Sequence, residues 1–287
     1  MKRSMKGRLI LAALLLAALL IFLLQLDRES LLTSIGKVPI WILGILAGLQ
    51  IVSQLLVNLQ WHQISKVVGT TITFKQMLYI NCQGAIMDSI TPGVKIGGEI
   101  ARVVQISRIA NCSGKEAGII LALQKLFSLS TFFFVLIISL VILPIQISIY
   151  WIGLLILISV SAAVIICAKT SRHLAVMKTE TKMFLLALSF LIWMLYPVKL
   201  YILLVQIAYT ATALHAGAVA FVSYMVAMIP IFPGGLGGFE GTMVGLLAAL
   251  GFAISDAAVI TILFRFFTFW FVMLVSFLYI SFFNFFD

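Results

Sequence analysis

Charge is the scarcest commodity in this chain. Only 10% of its 287 residues are charged, against 63% hydrophobic, where a soluble domain carries about 25% and about 45–50%. So few charges cannot cover a water-facing globule, which excludes a soluble enzyme, a disordered tail and a disulfide scaffold. The three cysteines (Cys82, Cys112, Cys167) and the three histidines (His62, His173, His215) are scattered. They make neither a zinc spacing nor a disulfide framework, and the cysteines read as small apolar packing residues. No HExxH, GxSxG, Walker loop or CxxC is present. Gly235-Leu236-Gly237 fails as a dinucleotide fingerprint, because the third glycine is misplaced and no strand precedes it. The reading is therefore not an enzyme, with no cofactor and no metal.

What is present is long apolar runs, enough for roughly six to eight crossings at about 20 residues each. No stretch is long and polar enough for a separate soluble domain, so residues 1–287 read as a single transmembrane domain. Lys2, Arg3, Lys6 and Arg8 precede an apolar run from Leu9 to Leu24. It ends at Gln25-Leu26-Asp27-Arg28 with no small-residue cleavage site. The run thus reads as a first membrane helix with a cytoplasmic N-terminus rather than a signal peptide. A loop is expected over 27–38, and Pro39 suits a helix start. Further spans are expected at about 40–58, 117–143, 149–168, 184–209 and 257–283, with a polar stretch at 59–76 and Pro144 dividing the two central spans. The net charge of +10 reads as the cytoplasmic loop bias of a plasma-membrane protein, not as a nucleic-acid footprint. With the N-terminus inside, the loop Lys and Arg fall on the cytoplasmic side except Arg28 and Lys37.

Two regions break the pattern. Residues 77–106 are moderately apolar but contain Asp88, Pro92, Gly93, Lys95, Gly97, Gly98, Glu99 and Arg102. Residues 211–251 are very apolar but carry Pro230, Pro233, Gly234, Gly235, Gly237, Gly238 and Glu240. Irregular backbone at membrane depth is tolerated only inside protein or along a wet cavity, so both read as re-entrant hairpins of short broken helices. In each, a glutamate (Glu99, Glu240) stands seven residues after a proline (Pro92, Pro233). That match points to an internal duplication of 1–143 and 144–287, and paired interrupted segments mark a transporter's binding site. The fold expected is all-α: about six transmembrane helices plus two re-entrant hairpins, in an inverted repeat. Eight plain spans give the same sidedness.

Charge inside a bilayer is costly and defaults to function. Glu99 and Arg102 are three apart on one helix face and can pair, or Arg102 can leave its planar donor fork free for a phosphate. Glu240 stands alone, with no other charge between Ala216 and Ser255. It can cap the next helix or, with that helix's amides, meet an anionic headgroup. Arg265 lies nine residues after Asp256, roughly 13 Å into its helix, and is the preferred partner of Glu240. Lys199 sits mid-span beside Pro197, with Tyr196 on its face. Asp88 can pair with Lys95 or cap a helix end. The aromatic run Phe264 to Trp270 reads as packing.

At the two breaks the chain resembles the lysylphosphatidylglycerol synthase transmembrane-region family, the flippase half of multiple-peptide-resistance-factor proteins. The likeness rests on Pro92, Gly97, Gly98, Glu99 and Arg102, and on Pro233-Gly234-Gly235-Leu236-Gly237 with Glu240. It implies two re-entrant segments meeting in a central cavity, and movement of a phospholipid or lipid-linked headgroup between leaflets. Synthase members carry a soluble aminoacyl-transfer domain after the membrane part. The chain ends at Asp287, so lysyl transfer is not expected. Lys95 adds a cation at the break that favours an anionic headgroup. The expected site thus comprises Glu99, Arg102, Glu240 and Arg265, with Lys199, Asp88 and Lys95 beside them. The rival readings are a transporter or channel for a small soluble solute, and a non-transporting subunit of a membrane glycosyltransferase. The partners left open are a homodimer and a membrane glycosyltransferase or lipid-modifying enzyme.

Overall fold

The computed structural model describes residues 28–91, 96–142, 149–207, 212–228, 235 and 237–286. The expected first span, Leu9 to Leu24, lies outside them, as do Pro92, Gly93, Lys95, Pro144, Pro230, Pro233 and Gly234. Among the described residues the chain is helical, with no strand. Four helical stretches are long and apolar enough to cross a membrane: Ile40–Val68, Gly114–Leu140, Thr179–Ile207 and Ile254–Phe282.

Helix α1 (Arg28–Gly36) occupies the expected loop. Its Ser34 hydroxyl donates to Asp256 Oδ1 at 2.6 Å and Lys37 Nζ reaches the same oxygen at 2.9 Å, which docks this short helix on the start of the last span. Helix α2 (Ile40–Val68) starts after Pro39 and runs through the expected polar stretch to Gly69. It continues because its polar side chains face other helices rather than water: Asn58, Gln60 and Ser65 are fully buried. The first broken region becomes α3 (Phe74–Ile90) and α4 (Ile96–Ile109), with Thr73 and Gln76 forming a capping box at the start of α3. Helices α5 (Gly114–Ile142), α6 (Ile149–Val176) and α7 (Thr179–Ile207) follow. Helix α7 continues through Pro197, as membrane helices allow when neighbours satisfy the freed carbonyl. The second broken region becomes α8 (Ala213–Ala227) and α9 (Gly238–Ala249). The last stretch is α10 (Ile254–Arg265), a π-helical turn over Phe266–Trp270, and α11 (Phe271–Phe286).

The interior divides into two apolar cores at opposite ends of the long helices. One gathers Trp61 and Ile64 from the end of α2, Ala117 to Phe127 from the beginning of α5 and Leu185 from the beginning of α7, around Met77 and Ile80 of α3 and Ile106 of α4. The other gathers Ile42 and Leu46 from the beginning of α2, Phe132 to Leu140 from the end of α5 and Trp193 to Leu204 from α7, around α8, α9 and α10. Each short helix pair thus has its own core. The last stretch touches both: α10 packs on α9, and α11 packs on α3.

Candidate functional site

The first helix pair is tied across its break by one carboxylate. Asp88, in the last turn of α3, accepts the Gly98 amide on Oδ1 at 3.1 Å and faces Arg102 Nη1 with Oδ2 at 3.1 Å. The first turn of a helix presents amides without internal partners, and here the preceding helix supplies the oxygen. That requires close approach. A Cβ on Gly98 would collide with the Asp88 carboxyl and with the Gly84 carbonyl, and one on Gly84 with the Arg102 guanidinium. Arg102 also lies over the Trp61 ring, 5.7 Å from its centroid. Both partners are largely buried, their side chains 14% and 12% exposed.

Of the two arrangements that the spacing allows, the Glu99–Arg102 pair is not the one formed. Arg102 turns across the break to Asp88, while Glu99 leaves its own helix to pair with Lys125 of α5. That second pair is about a quarter exposed on each side. Three-residue spacing brought Glu99 and Arg102 within reach, but each finds a better-placed charge on a neighbouring helix.

The second helix pair carries a deeper ion pair. Glu240 stands in the first turn of α9, where Oε2 accepts the Gly237 amide at 2.7 Å. Gly237 has φ of 80°, a backbone shape that favours glycine. Oε1 lies 3.1 Å from Nε of Arg265, and both side chains are 8% exposed. Glu240 therefore caps its helix and binds the arginine at once, using one oxygen for each. The Arg265 guanidinium is held between two rings, 4.8 Å from the centroid of Phe239 and 4.4 Å from that of Phe269. Phe269 belongs to the stretch read as packing alone; it covers a buried cation. Arg265 ends α10 where the π turn begins, and π turns recur at functional sites.

Lys199 lies apart from both pairs. It is 1% exposed. Its ammonium donates to Gln50 Oε1 at 2.5 Å and Ser53 Oγ at 3.1 Å, both on α2, and lies 4.4 Å from the Tyr196 ring centroid. Rings link it to the second pair: Tyr196 to Tyr224 at 4.9 Å, and Tyr224 to Phe239 at 5.0 Å. An isolated buried ammonium is strongly disfavoured; here two oxygens and a ring face replace water. The ring is the Tyr196 that helical spacing placed on the Lys199 face, whereas the two oxygens escaped the sequence reading. The signal was available: Gln50, Ser53, Gln54 and Asn58 recur at helical spacing in the otherwise apolar stretch 40–58, and Gln50, Ser53 and Asn58 are at most 1% exposed. Among the described residues no group of three or more His, Cys, Asp or Glu is placed to hold a metal ion.

The family model for the lysylphosphatidylglycerol synthase TM region matches residues 10–276 of this chain. A UPF0104 membrane protein of Methanothermobacter thermautotrophicus is 31% identical over 83 residues, 29% of this chain and 25% of that protein. The aligned segment thus covers about a quarter of that relative. With its membrane-length apolar helices, this chain is a multi-pass membrane protein, and it belongs to the lysylphosphatidylglycerol synthase TM region family.

Proposed function

We propose that this protein is a lipid translocase that moves a phospholipid or lipid-linked anionic headgroup between leaflets. One observation carries the reading: each glycine-rich break is pinned by a buried ion pair, and both broken helix pairs adjoin the same last stretch, α10 through α11. Helices α3, α4, α8 and α9 have 17, 14, 15 and 12 residues. At 1.5 Å per residue each is shorter than the roughly 30 Å hydrocarbon core, which favours re-entrant hairpins over plain spans. Their cores sit at opposite ends of the long helices, as an inverted repeat requires. The first pair shares its end with Lys66, Lys75, Arg108, Lys115, Lys178 and Lys182. The positive-inside bias makes that end cytoplasmic, in keeping with a plasma-membrane protein whose N-terminus is inside.

In this mechanism an anionic headgroup exchanges with a carboxylate. A phosphate reaching Arg265 displaces Glu240, whose second oxygen stays bound to the Gly237 amide. A phosphate reaching Arg102 displaces Asp88, held in turn by the Gly98 amide. The guanidinium keeps an anionic partner at every stage, which avoids the cost of a bare buried charge. Glu99, Lys95 and Lys199 are further charges the headgroup meets on its way. The membrane region named by the family supplies passage, and no bond is made or broken.

The test is leaflet exchange in liposomes. Purified protein is reconstituted with lipids carrying a fluorescent headgroup, an impermeant reductant is added, and bleaching is followed with and without a proton gradient. Bleaching that passes beyond the outer leaflet, slowed at least about tenfold by Glu240→Gln (roughly 1.4 kcal/mol in barrier) and also by Asp88→Asn, is the expected result. Bleaching confined to the outer leaflet for every lipid, from folded protein with the gradient imposed, rejects the proposal. Uptake of a water-soluble tracer in its place favours a solute transporter.

A further inference from the structure

Among the described residues the buried cations are Lys199 and Arg265, 1% and 6% exposed. Arg265 keeps a carboxylate against it. Lys199 has none within ion-pair distance among the described residues. Its neighbours are the Gln50 and Ser53 oxygens and the Tyr196 ring, all neutral. Gln50 and Ser53 lie ten and thirteen residues after Ile40, about 15–20 Å along α2, so this cage stands inside the roughly 30 Å hydrocarbon core. Titratable groups on the helices packed against α7 lie elsewhere. His62 and Lys66 are in the last two turns of α2, Lys115 and Glu116 in the first turn of α5, and His215 in the first turn of α8. Lys125 is held by Glu99 and Asp256 by Lys37. Toward the cage stand Tyr196 itself, Tyr224 of α8 with its ring 4.9 Å from that of Tyr196, and, behind Phe239, the Glu240–Arg265 pair.

The cage serves both protonation states. A neutral amine has two N–H groups, and two oxygens are in place to take them. The third N–H of the ammonium meets the ring face, which attracts a charge. No carboxylate fixes the proton, whereas a guanidinium such as that of Arg265 never gives its proton up. Releasing the Lys199 proton to water keeps both hydrogen bonds but turns charge-assisted bonds into neutral ones of about half the strength. The proton thus sets how firmly α2 grips α7. Burial supplies the other property of a coupling site: Lys199 meets water only when α2 and α7 part, so protons do not leak through the closed protein. Water can wait close by. Gln50 is also on the wall of a cavity of about 210 Å³ between α2, α3 and α11, where Gln54, Ser276 and Tyr279 are polar. That is room for several waters at roughly 30 Å³ each.

We propose that Lys199 is the proton-binding site that couples translocation to a proton gradient: its amine takes up a proton on the side the headgroup leaves, and its ammonium releases one to water on the side where the headgroup arrives. The proposal rests on the lipid-translocase reading and names its coupling ion. A singly negative headgroup and one proton cross with no net charge, so the membrane potential does no work against them. The test follows leaflet exchange of a singly charged fluorescent phospholipid in liposomes of the full chain. Potassium and an ionophore clamp the potential at zero, and the pH is either equal on both sides or stepped across the membrane. A step of about one pH unit should change the initial rate by up to about tenfold, the factor by which it shifts the protonation ratio of a titrating group. Gln50→Glu, of nearly the same shape, places a carboxylate on the ammonium, and Lys199→Arg makes the charge permanent. Each should bring the ratio of rates with and without the step to one, whatever its own basal rate. A second readout is direct. The nitrogen NMR signal of Lys199 Nζ, identified by its loss in Lys199→Arg, should move between ammonium and amine positions over the pH range of the assay, and should stay with the ammonium in Gln50→Glu. A wild-type signal fixed at either position, as from a structural lysine, overturns the proposal. So does a response to the step that survives in folded Gln50→Glu and Lys199→Arg. Wild-type exchange that ignores the step also overturns it and leaves the translocase standing. Absence of exchange with every lipid rejects the translocase, and a titrating Nζ then keeps the proton site alone.

Discussion

The two broken helix pairs solve the same problem with different geometry. Each needs an oxygen for the exposed amides at the start of its second helix, and each brings an arginine to that oxygen. In the first pair the acid comes from the incoming helix: Asp88 of α3 takes the Gly98 amide and Arg102 of α4. The bond closes the pair on itself. In the second the acid is on the outgoing helix and the arginine on a third element: Glu240 of α9 takes the Gly237 amide and Arg265 of α10. That bond fastens the pair to the last stretch. By the partners it holds, an amide and an arginine, the structural counterpart of Glu240 is thus Asp88, although the proline-to-glutamate spacing aligned it with Glu99. Equivalent contacts sit at non-equivalent positions, so alignment by motif alone does not find the acid that ties the first pair.

The sharpest way to break this comparison is to remove one acid at a time. Glu240→Ala leaves Arg265 buried between two rings and should cost about 3–5 kcal/mol. Asp88→Ala, whose arginine is somewhat more exposed and keeps the Trp61 face, should cost less. Unfolding in detergent by denaturant gives both values, and equal losses would erase the distinction drawn between a pair closed on itself and a pair tied to a span. Glycine replacements come next. Gly98→Ala forces apart α3 and α4 at the Asp88 carboxyl and the Gly84 carbonyl, an overpacking cost of about 1–3 kcal/mol. Gly241→Ala in α9 meets nothing within 4 Å and should be neutral or gain up to about 1 kcal/mol from helix propensity. The same unfolding series decides it: comparable losses at both positions would mean that the second pair is as tightly apposed as the first. The smallest effect belongs to Glu99. Its pair with Lys125 is partly exposed, and Lys125→Ala should change stability by no more than about 1 kcal/mol. A double-mutant cycle with Glu99→Ala measures that coupling, and a value matching the Glu240–Arg265 coupling would return Glu99 to the place its motif suggested.

How far the sequence could be read follows from these residues. Glu240 and Arg265 were legible as partners because each stands alone in apolar surroundings, so few other groups could serve. Long uninterrupted apolar runs likewise declared α5 and α7. The partner of Glu99 was not legible, since helical spacing ranks neighbours within one helix and carries no information on Lys125, a helix away. The end of α2 was misplaced for a related reason: hydropathy treats Gln60 and Ser65 as water-facing, whereas the fold buries both, with Gln60 donating to Ser189 of α7 at 2.5 Å. Helix α1 was read as a loop because its docking on Asp256 depends on a contact more than two hundred positions away. The π turn after Arg265 leaves no mark in a run of aromatics.

The Lys199–Gln50 bond joins positions 149 apart in sequence, and this sets an order of events during synthesis. Helix α2 leaves the ribosome and enters the bilayer while α7 does not yet exist. Gln50 and Ser53 must then lie in a young, incomplete bundle with the ammonium they will hold still unmade. When α7 arrives it brings an ammonium that lipid would reject and α2 can accept. Each helix is the other's late-coming solvent.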